Sequence, residues 1–358
     1  MKAKVYFFPR RRPRVSFENQ VRKAARKIIP AVVSSGDLVG IKVHFGEEGN
    51  TAFVPPYLVR VIVEEVEKAG GKPFLFDTNT LYRGSRENAR DHILLALRHG
   101  FSFETTGCPV IIADGLRGKD YVEVEIKGKH FEKVRLGSLI KQMESCIVVS
   151  HVKGHSSTGF GGAIKNISMG FASRSGKQQM HSDVKPVVNE EKCIGCRSCI
   201  EWCPVNAISL TMKNRAFIDQ NICVGCGECR ITCPEEAIDI SWETTPVLLQ
   251  EKMAEYALGS VALLKGKIGF LNFLINVTPD CDCWEWSESY LVPDIGVLAS
   301  LDPVAIDQAS CDLLNKEWQK SGGKDIWKDI YPQIDWSIQI AHAEKLGVGT
   351  RDYVLIEE

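Results

Sequence analysis

Eight of the chain's thirteen cysteines fall into two copies of one motif, C-x2-C-x2-C-x3-C-P, which begin thirty residues apart. A cubane of iron and sulfide needs four thiolates around a compact core, and this spacing supplies three from one short loop and the fourth from the other copy. The sequence therefore predicts two [4Fe–4S] clusters. The predicted ligands of the first cluster are Cys193, Cys196, Cys199 and Cys233, and those of the second are Cys223, Cys226, Cys229 and Cys203.

Two other uses of these cysteines fit the sequence less well. Cys-x2-Cys pairs also bind zinc, but two four-cysteine runs that each close with Cys-Pro favour iron–sulfur clusters. Disulfides are disfavoured because nothing marks the chain as secreted. The segment that carries the motifs, residues 186–242, is therefore predicted to be a bacterial 2[4Fe–4S] ferredoxin-like α+β module.

A larger unit surrounds this segment, because strand-like apolar runs alternate with helical patterns on both sides of it. The predicted strands are residues 4–8, 37–44, 72–77, 109–113, 145–150, 267–277 and 295–299. The predicted helices are residues 55–68, 87–99, 247–264 and 302–315, with a further helix that starts at residue 163. This alternation predicts an α/β host domain with a largely parallel sheet covered on both faces, formed by residues 1–185 and 243–358.

A glycine-rich loop follows the strand at 145–150, and ligands of open α/β sheets bind beyond the carboxyl ends of strands. Glycines where a helix starts let backbone N–H groups close on an anion. The predicted cofactor-binding residues are His151, Lys153, Gly154, Gly159, Gly161 and Gly162. His155 and Lys165 are predicted to be catalytic, because an imidazole moves protons near neutral pH and an ammonium neutralises an anion. The alternative is an ordinary loop whose glycines serve turns.

A second loop with reactive side chains follows the strand at 267–277 and reads Asp-Cys-Asp-Cys. Cys281 and Cys283 are predicted to be catalytic, because a Cys-x-Cys pair can chelate a soft metal, cycle as a dithiol or supply a nucleophile. The alternative is two unremarkable thiols beside a turn. Weaker candidates for site residues also follow strands, namely His44, Asp77 and Asp307. The polar stretch 174–181 either closes over the ligand of the glycine-rich loop or faces solvent.

The composition limits the partners and the location. A formal net charge of −1 implies no bulk attraction to nucleic acid, and no window approaches the apolar length of a membrane span. Oxygen-sensitive clusters and additional thiols suit a reducing cytoplasm, such as that of an anaerobe. We expect a redox partner protein or a small-molecule substrate, and the sequence leaves homo-oligomerisation open.

The chain resembles a family of uncharacterised iron–sulfur centre proteins, a domain of unknown function that carries a ferredoxin-like insert. The resemblance rests on residues 151–170, 276–283 and 302–307 and spans essentially the full length, but it implies no particular activity. The stretch Gly159-Phe-Gly-Gly-Ala-Ile-Lys165 is also similar to the Gly-Phe-Ser-Gly-Gly-x-Lys loop of the nickel-pincer lactate racemases. That shorter resemblance implies a cofactor or hydroxy-acid site near His155 and Lys165.

Three functional hypotheses follow from these features. The favoured one is an oxidoreductase in which electrons pass through the clusters to or from a substrate or a second cofactor, such as a flavin or a metal, at the strand ends. The second is an electron carrier or adaptor without chemistry of its own. The third is an isomerase-like enzyme in which the clusters are structural.

Overall fold

The computed structural model describes residues 2–11, 13–181, 185–223, 225, 227–239 and 245–358. Of the predicted cluster ligands, Cys226 lies outside the described residues, as does the predicted end of the inserted segment at residue 242.

The strands of the structure include short ones that the sequence did not predict. In chain order they are β1 (Ala3–Pro9), β2 (Leu38–Lys42), β3 (Lys72–Asp77), β4 (Val110–Ile112), β5 (Tyr121–Glu125), β6 (Lys133–Gly137), β7 (Ser145–His151), β8 (Lys153–His155), β9 (Gly159–Gly161), β10 (Val187–Val188), β11 (Ile208–Leu210), β12 (Ala216–Ile218), β13 (Ile238–Asp239), β14 (Ile268–Leu274), β15 (Gly296–Ser300) and β16 (Tyr353–Glu357).

The helices lie mostly between the sheet strands. In chain order they are α1 (Phe17–Val32), α2 (Pro56–Lys68), α3 (Ala89–Arg98), α4 (Phe103–Thr106), α5 (Ala163–Ser168), α6 (Arg174–His181), α7 (Ser198–Glu201), α8 (Glu228–Thr232), α9 (Pro246–Leu263), α10 (Pro303–Gln319), α11 (Ile326–Ile330) and α12 (Ser337–Lys345).

One eight-stranded sheet organises the host, in the order β16-β1-β15-β14-β7-β2-β3-β4. Five of its seven neighbouring pairs are parallel. Only β15 runs against its neighbours β1 and β14. The predicted α/β class with a large, mostly parallel sheet is therefore confirmed.

Helices cover both faces of this sheet. Helices α1 and α2 pack on one face, and α5, α9 and α10 pack on the other. The side chains of β7 and β14 are buried along their whole length, as expected for central strands that are covered on both sides. Local signals define the helix ends: Ser16 caps α1 through its hydroxyl, and α2 begins at a proline, whose missing N–H costs nothing there.

The cysteine-rich segment has short elements and a small core of its own. Strand β11 pairs with β12, and β10 pairs with β13, both antiparallel. The two motif copies share backbone geometry, because positive φ angles recur thirty residues apart at Gly195 and Gly225, and at Asn206 and Glu236. The buried side chains of this core include Cys193, Cys199, Cys229 and Cys233.

The start of helix α5 differs from the prediction. We expected its first N–H groups to close on an external anion, but the Asp307 carboxylate accepts them from Ala163 at 2.7 Å and from Ile164 at 2.9 Å. The amide of Asn272 donates to the same carboxylate at 2.8 Å. Burial raises the pKa of Asp307 to about 6, so the group is still an anion at neutral pH. The predicted anion site at this helix start is therefore wrong, and Asp307 does not face a cleft.

Replacement of Asp307 tests this internal cap. Asp307→Ala leaves two backbone donors and one amide donor buried without an acceptor, so we expect the free energy of unfolding to fall by about 3–5 kcal/mol. Asp307→Asn keeps one acceptor oxygen and should lose about 1–2 kcal/mol. Denaturant unfolding monitored by circular dichroism measures both, with exposed Lys316→Ala on the same helix as a control that changes by about 0.5 kcal/mol or less. An alanine variant as stable as the parent would contradict the capping role.

Candidate functional site

A cavity of about 670 Å³ lies at the carboxyl ends of the parallel strands. This volume is in the range of small-molecule sites, and the position is the usual one for ligands of open α/β sheets. Strands β2, β3, β7 and β14, or the loops that follow them, all contribute to its wall. The side chains contributed at these strand ends are Lys42, His44, Glu47, Asp77, Thr78, His151, Lys153, His155, Cys281 and Cys283.

The two loops predicted to carry chemistry meet in this cavity. The Lys165 Nζ lies 3.4 Å from the Cys281 Sγ, across 116 positions of sequence. The ligand atoms of His155, Cys281 and Cys283 all lie within 4.8 Å of one another. The structure therefore brings together all four residues predicted to be catalytic.

His151 positions the second loop and is not directed at a ligand. Its Nδ1 lies 2.8 Å from the Asp282 carboxylate, and its Nε2 lies 2.9 Å from the carbonyl oxygen of Ile275. Lys153 lies 3.4 Å from the other oxygen of Asp282. Burial alone would raise the pKa of Asp282, but the charges of His151 and Lys153 outweigh it and hold that pKa well below its usual range. A buried ionic cluster thus fixes the backbone between the two cysteines.

The two thiols differ in acidity. The hydrogen bond from Cys283 is the largest influence on Cys281 and, with the charges of Lys165 and Lys153, holds the pKa of Cys281 well below its usual range against the effect of burial. The same hydrogen bond and burial raise the pKa of Cys283. Cys281 is therefore the more acidic thiol of the pair and the better nucleophile or metal ligand.

His155 is held as a neutral base. Burial, reinforced by the charge of Lys165, lowers its pKa well below the usual value. Its Nδ1 accepts a hydrogen bond from the backbone N–H of Ser157 at 3.2 Å. Nε2 therefore carries the proton of the neutral ring, and Nδ1 holds its lone pair.

The glycines of the first loop serve packing more than ligand binding. The loop forms the hairpin β8–β9, and among its predicted cofactor-binding glycines only Gly162 lines the cavity. A Cβ at Gly154 would lie 1.9 Å from the carbonyl oxygen of Pro279, and one at Gly159 would lie 2.5 Å from the Trp336 side chain. A Cβ at Gly161 would approach the Lys165 side chain. The predicted ligand-binding role is thus replaced by close packing at Gly154, Gly159 and Gly161.

A second buried ionic cluster, which the sequence did not reveal, also lines the cavity. Lys42 lies 3.0 Å from the Asp77 carboxylate and also donates to the Asn166 side chain at 2.9 Å. Arg86 lies 3.1 Å from the Glu47 carboxylate. The one feature of the sequence that could have indicated this cluster is a lysine inside an apolar strand, since a buried cation needs a buried anion nearby. The predicted strand-end residue Asp77 is that anion.

The cavity wall carries more cations than anions. The cationic lining residues are Lys42, Arg83, Arg86, Lys153, Lys165, Lys177 and Arg230, and the acidic ones are Glu47, Asp77 and Glu285. In the described part of the chain, neither Lys165 nor Lys177 has a carboxylate oxygen within 4.0 Å. Burial lowers the pKa of Lys177 to about 8, which leaves it mostly protonated at neutral pH. The predicted polar stretch 174–181 contributes Lys177 and His181 to this wall.

The predicted cluster cysteines line two smaller cavities in the inserted segment. Cys193, Cys196, Cys199 and Cys233 surround one. The other is lined by Cys203, Cys223 and Cys229, the described members of the second predicted set. The first cavity combines three cysteines of the first motif copy with Cys233 of the second copy. The other cavity combines Cys223 and Cys229 of the second copy with Cys203 of the first, and Cys226 is outside the described residues.

The cysteine-rich segment contacts the wall of the large cavity. Arg83 donates to the carbonyl oxygens of Arg230 at 3.0 Å and Cys233 at 2.9 Å. Arg230 reaches back to the carbonyl oxygen of Leu81 at 3.4 Å and itself lines the cavity. Lys119 of the host pairs with Glu228 at 2.9 Å. Helix α8, which carries Cys229 and Arg230, therefore lies at the edge of the cavity.

The chain belongs to the family described as Domain of unknown function (DUF362), whose model matches residues 39–312. The predicted membership of a family with a domain of unknown function is thereby confirmed, whereas the iron–sulfur insert stays a prediction. No curated protein sequence matches the chain.

Two solved structures are similar in fold at low identity. A protein from Thermotoga maritima aligns with a TM-score of 0.44 at 9% identity, over 84% of this chain and 59% of that one. The lactate racemase apoprotein from Thermoanaerobacterium thermosaccharolyticum aligns with a TM-score of 0.38 at 10% identity, over 88% of this chain and 58% of that one. The chain thus spans less than two thirds of the length of either structure.

Among the described residues, no helix is both long enough and apolar enough to cross a membrane.

Alkylation kinetics test the acidity of Cys281. Lys165→Met removes a cation beside this thiolate, so its pKa should rise and iodoacetamide should react several-fold more slowly with it near neutral pH. Peptide mass spectrometry with fragmentation, over a pH series with EDTA present, measures the rate at Cys281. Cys108, whose pKa burial raises to about 12, is the internal control and should remain unlabelled. Identical pH–rate profiles for parent and variant would contradict the assignment.

Proposed function

We propose that the chain is an iron–sulfur oxidoreductase in which the inserted module exchanges electrons with a small anionic substrate, or a second cofactor, in the host cavity. The single observation that carries the proposal is the position of α8, which holds the predicted ligand Cys229 and places Arg230 in the cavity wall. When bound, two [4Fe–4S] clusters supply one-electron transfer.

The cysteine groups fit clusters better than single ions. A tetrahedral zinc site has Zn–S distances near 2.3 Å and therefore holds its sulfurs less than about 4 Å apart. Within the described residues, no three of the motif cysteines have their sulfurs within 4.8 Å of one another. Such a wider spread is what a bulkier iron–sulfide core requires.

Backbone amides already point at these sulfurs. Ala216 donates to the Cys193 Sγ at 3.3 Å, and Ala237 donates to the Cys233 Sγ at 3.3 Å. In the other set, the backbone N–H of Ala207 lies 3.2 Å from the Cys203 Sγ. Hydrogen bonds to ligand sulfurs stabilise the negative charge of a cluster and help to set its potential. This pattern supports iron–sulfur ligation.

The charge of the cavity supports an anionic substrate or cofactor. Lys165 and Lys177 line the cavity without a carboxylate partner among the described residues, although Lys165 lies 3.4 Å from the Cys281 Sγ and Lys177 donates to Thr78 and Ala172. An incoming carboxylate or phosphate would add a charge-assisted contact to these lysines. Trp284 and Trp286 stack on each other with ring centroids 4.8 Å apart and line the same cavity. Their exposed faces suit contact with a flat group, such as a flavin ring.

Iron analysis tests the module. Protein purified without oxygen should contain about eight irons and eight sulfides per chain. Cys199→Ser removes a ligand of the first predicted set only, so about half of the iron should be lost or should appear as a cluster with altered electron paramagnetic resonance. Cys108→Ala, a buried thiol of the host, is the matched control and should retain all the iron. Zinc in place of iron would contradict the proposal.

Discharge of the reduced protein tests the electron route. Stoichiometrically reduced protein would be mixed anaerobically with three anionic acceptors, namely crotonate, pyruvate and lipoate. We expect at least one of them to restore the visible absorbance rapidly, and Lys165→Met to slow that step at least about tenfold, because a desolvated ion pair is worth about 1.4 kcal/mol or more.

Lys345→Met is the control for this experiment, because Lys345 is exposed and lies outside the cavity lining. It should discharge at the parental rate. If parent and Lys165→Met discharge equally with every acceptor, the module is a general electron carrier and the host cavity is not its terminus.

A further inference from the structure

A compact group of metal-ligating side chains lies in the cavity wall, apart from the motif cysteines. His155, Cys281 and Cys283 each offer one ligand atom, and these atoms lie within 4.8 Å of one another. Among the described residues, this is the only such group of three or more histidines, cysteines or acidic residues. All three side chains line the same cavity.

The chemistry of the group suits a thiophilic metal ion. Thiolate and imidazole are the ligands that zinc prefers, with Zn–S near 2.3 Å and Zn–N near 2.0–2.1 Å. Ligand atoms around one tetrahedral zinc ion lie about 3.5–4 Å apart. Side chains already within 4.8 Å need to move only slightly to close on such an ion. The His155 Nδ1 holds the lone pair of the neutral ring, because it accepts the Ser157 N–H at 3.2 Å, and it can bind the metal once the ion displaces that hydrogen bond.

Buried contacts hold the loop that carries Cys281 and Cys283 in place. Asp282, between the two cysteines, is fully buried and lies 2.8 Å from His151 Nδ1 and 3.4 Å from Lys153 Nζ. Gly154 packs against the carbonyl oxygen of Pro279, just before the thiols. Such supporting contacts orient ligands in metal sites and are usually as necessary as the ligands themselves.

We propose that His155, Cys281 and Cys283 bind one thiophilic divalent metal ion, for which Zn²⁺ is the probe. Structural zinc sites have four protein ligands, whereas catalytic sites have three and an open position. With three protein ligands, the fourth position opens into the cavity, where Lys165 stands 3.4 Å from Cys281. An anionic group of a cavity ligand is the natural fourth donor. The metal site does not depend on the electron route proposed above.

The competing use of the same thiols is a redox dithiol. Two neighbouring cysteines can close a disulfide with loss of two electrons and two protons, and a disulfide cannot hold the ion as two thiolates do. The oxidation state of Cys281 and Cys283 in protein purified without oxygen therefore separates the two uses.

Zinc-edge X-ray absorption of the cluster-containing protein tests the site, because this edge is blind to iron. After treatment with EDTA and removal of the chelator, the protein should take up one equivalent of Zn²⁺ per chain in a calorimetric titration. The absorption data should fit two sulfurs near 2.3 Å with nitrogen or oxygen near 2.0–2.1 Å. Cys281→Ala, Cys283→Ala and His155→Ala should each weaken zinc binding at least about a hundredfold.

Cys108→Ala is the matched control and should bind zinc like the parent, because Cys108 is a buried thiol outside the cavity. Circular dichroism and thermal unfolding report the fold of every variant; Cys283, which is only partly buried, gives the variant least apt to disturb it. The proposal would be overturned if the protein takes up no zinc or if the bound zinc has an all-sulfur shell. It would also be overturned by unchanged zinc affinity in a folded Cys283→Ala protein or by a Cys281–Cys283 disulfide. If protein purified without oxygen contains no iron but binds zinc in this shell, the metal site stands and the electron route is refuted.

Discussion

The parallel pairing of β7 with β14 is the constraint on which the candidate site depends. His151, the last residue of β7, is in register with Phe273 near the end of β14. Both strands therefore deliver their following loops to the same edge of the sheet, side by side. The hydrogen bond between His151 and Asp282 then forms across 131 positions of sequence. A shift of one residue in this register would turn His151 to the other face and separate the loops.

Buried charge is the second feature that shapes the cavity. Lys42 and Asp77 are buried and paired, as are Arg86 and Glu47. Replacing such pairs by apolar residues of similar volume often leaves a protein equally or more stable, so the pairs are not explained by stability alone. Removing one partner, by contrast, leaves the other charge unpaired in a low-dielectric wall. Because each pair is charge-neutral, the excess of cations in the cavity wall comes from the other lysines and arginines that line it.

The sequence predicted the sheet better than the walls of the site. Strands were readable because apolar runs of five to seven residues mark buried parallel strands. The direction of β15 was not readable, since periodicity carries no information on direction, and Asp302 consequently lies at the opposite edge, where it caps α10. Lys42 could not be recognised as a cavity residue, because it lies within a strand-like apolar run. Asp307 was read as a residue that could face the cleft, because its acceptor role depends on packing between α5 and α10.

The four residues with predicted chemistry were found because each follows a strand or opens a helix, and parallel strands end at a common edge. Residues that arrive from elsewhere gave no such signal. Arg83 and Arg86 follow β3 in a loop without regular structure, and Arg230 comes from the inserted segment. The partners of these arginines could not be predicted from the sequence, because ion pairs between distant residues leave no periodic pattern in a single sequence.

Arg83 makes the module and the cavity interdependent. Its guanidinium donates to the carbonyl oxygens of Arg230 and Cys233 while its side chain lines the cavity. An anion that paired with Arg83 in the cavity would use the same guanidinium that contacts the cysteine-rich segment. Because coupling between two equilibria is reciprocal, any factor by which a bound anion weakened this contact would equal the factor by which the contact weakens anion binding. This shared arginine is therefore a physical link between the cysteine-rich segment and the cavity.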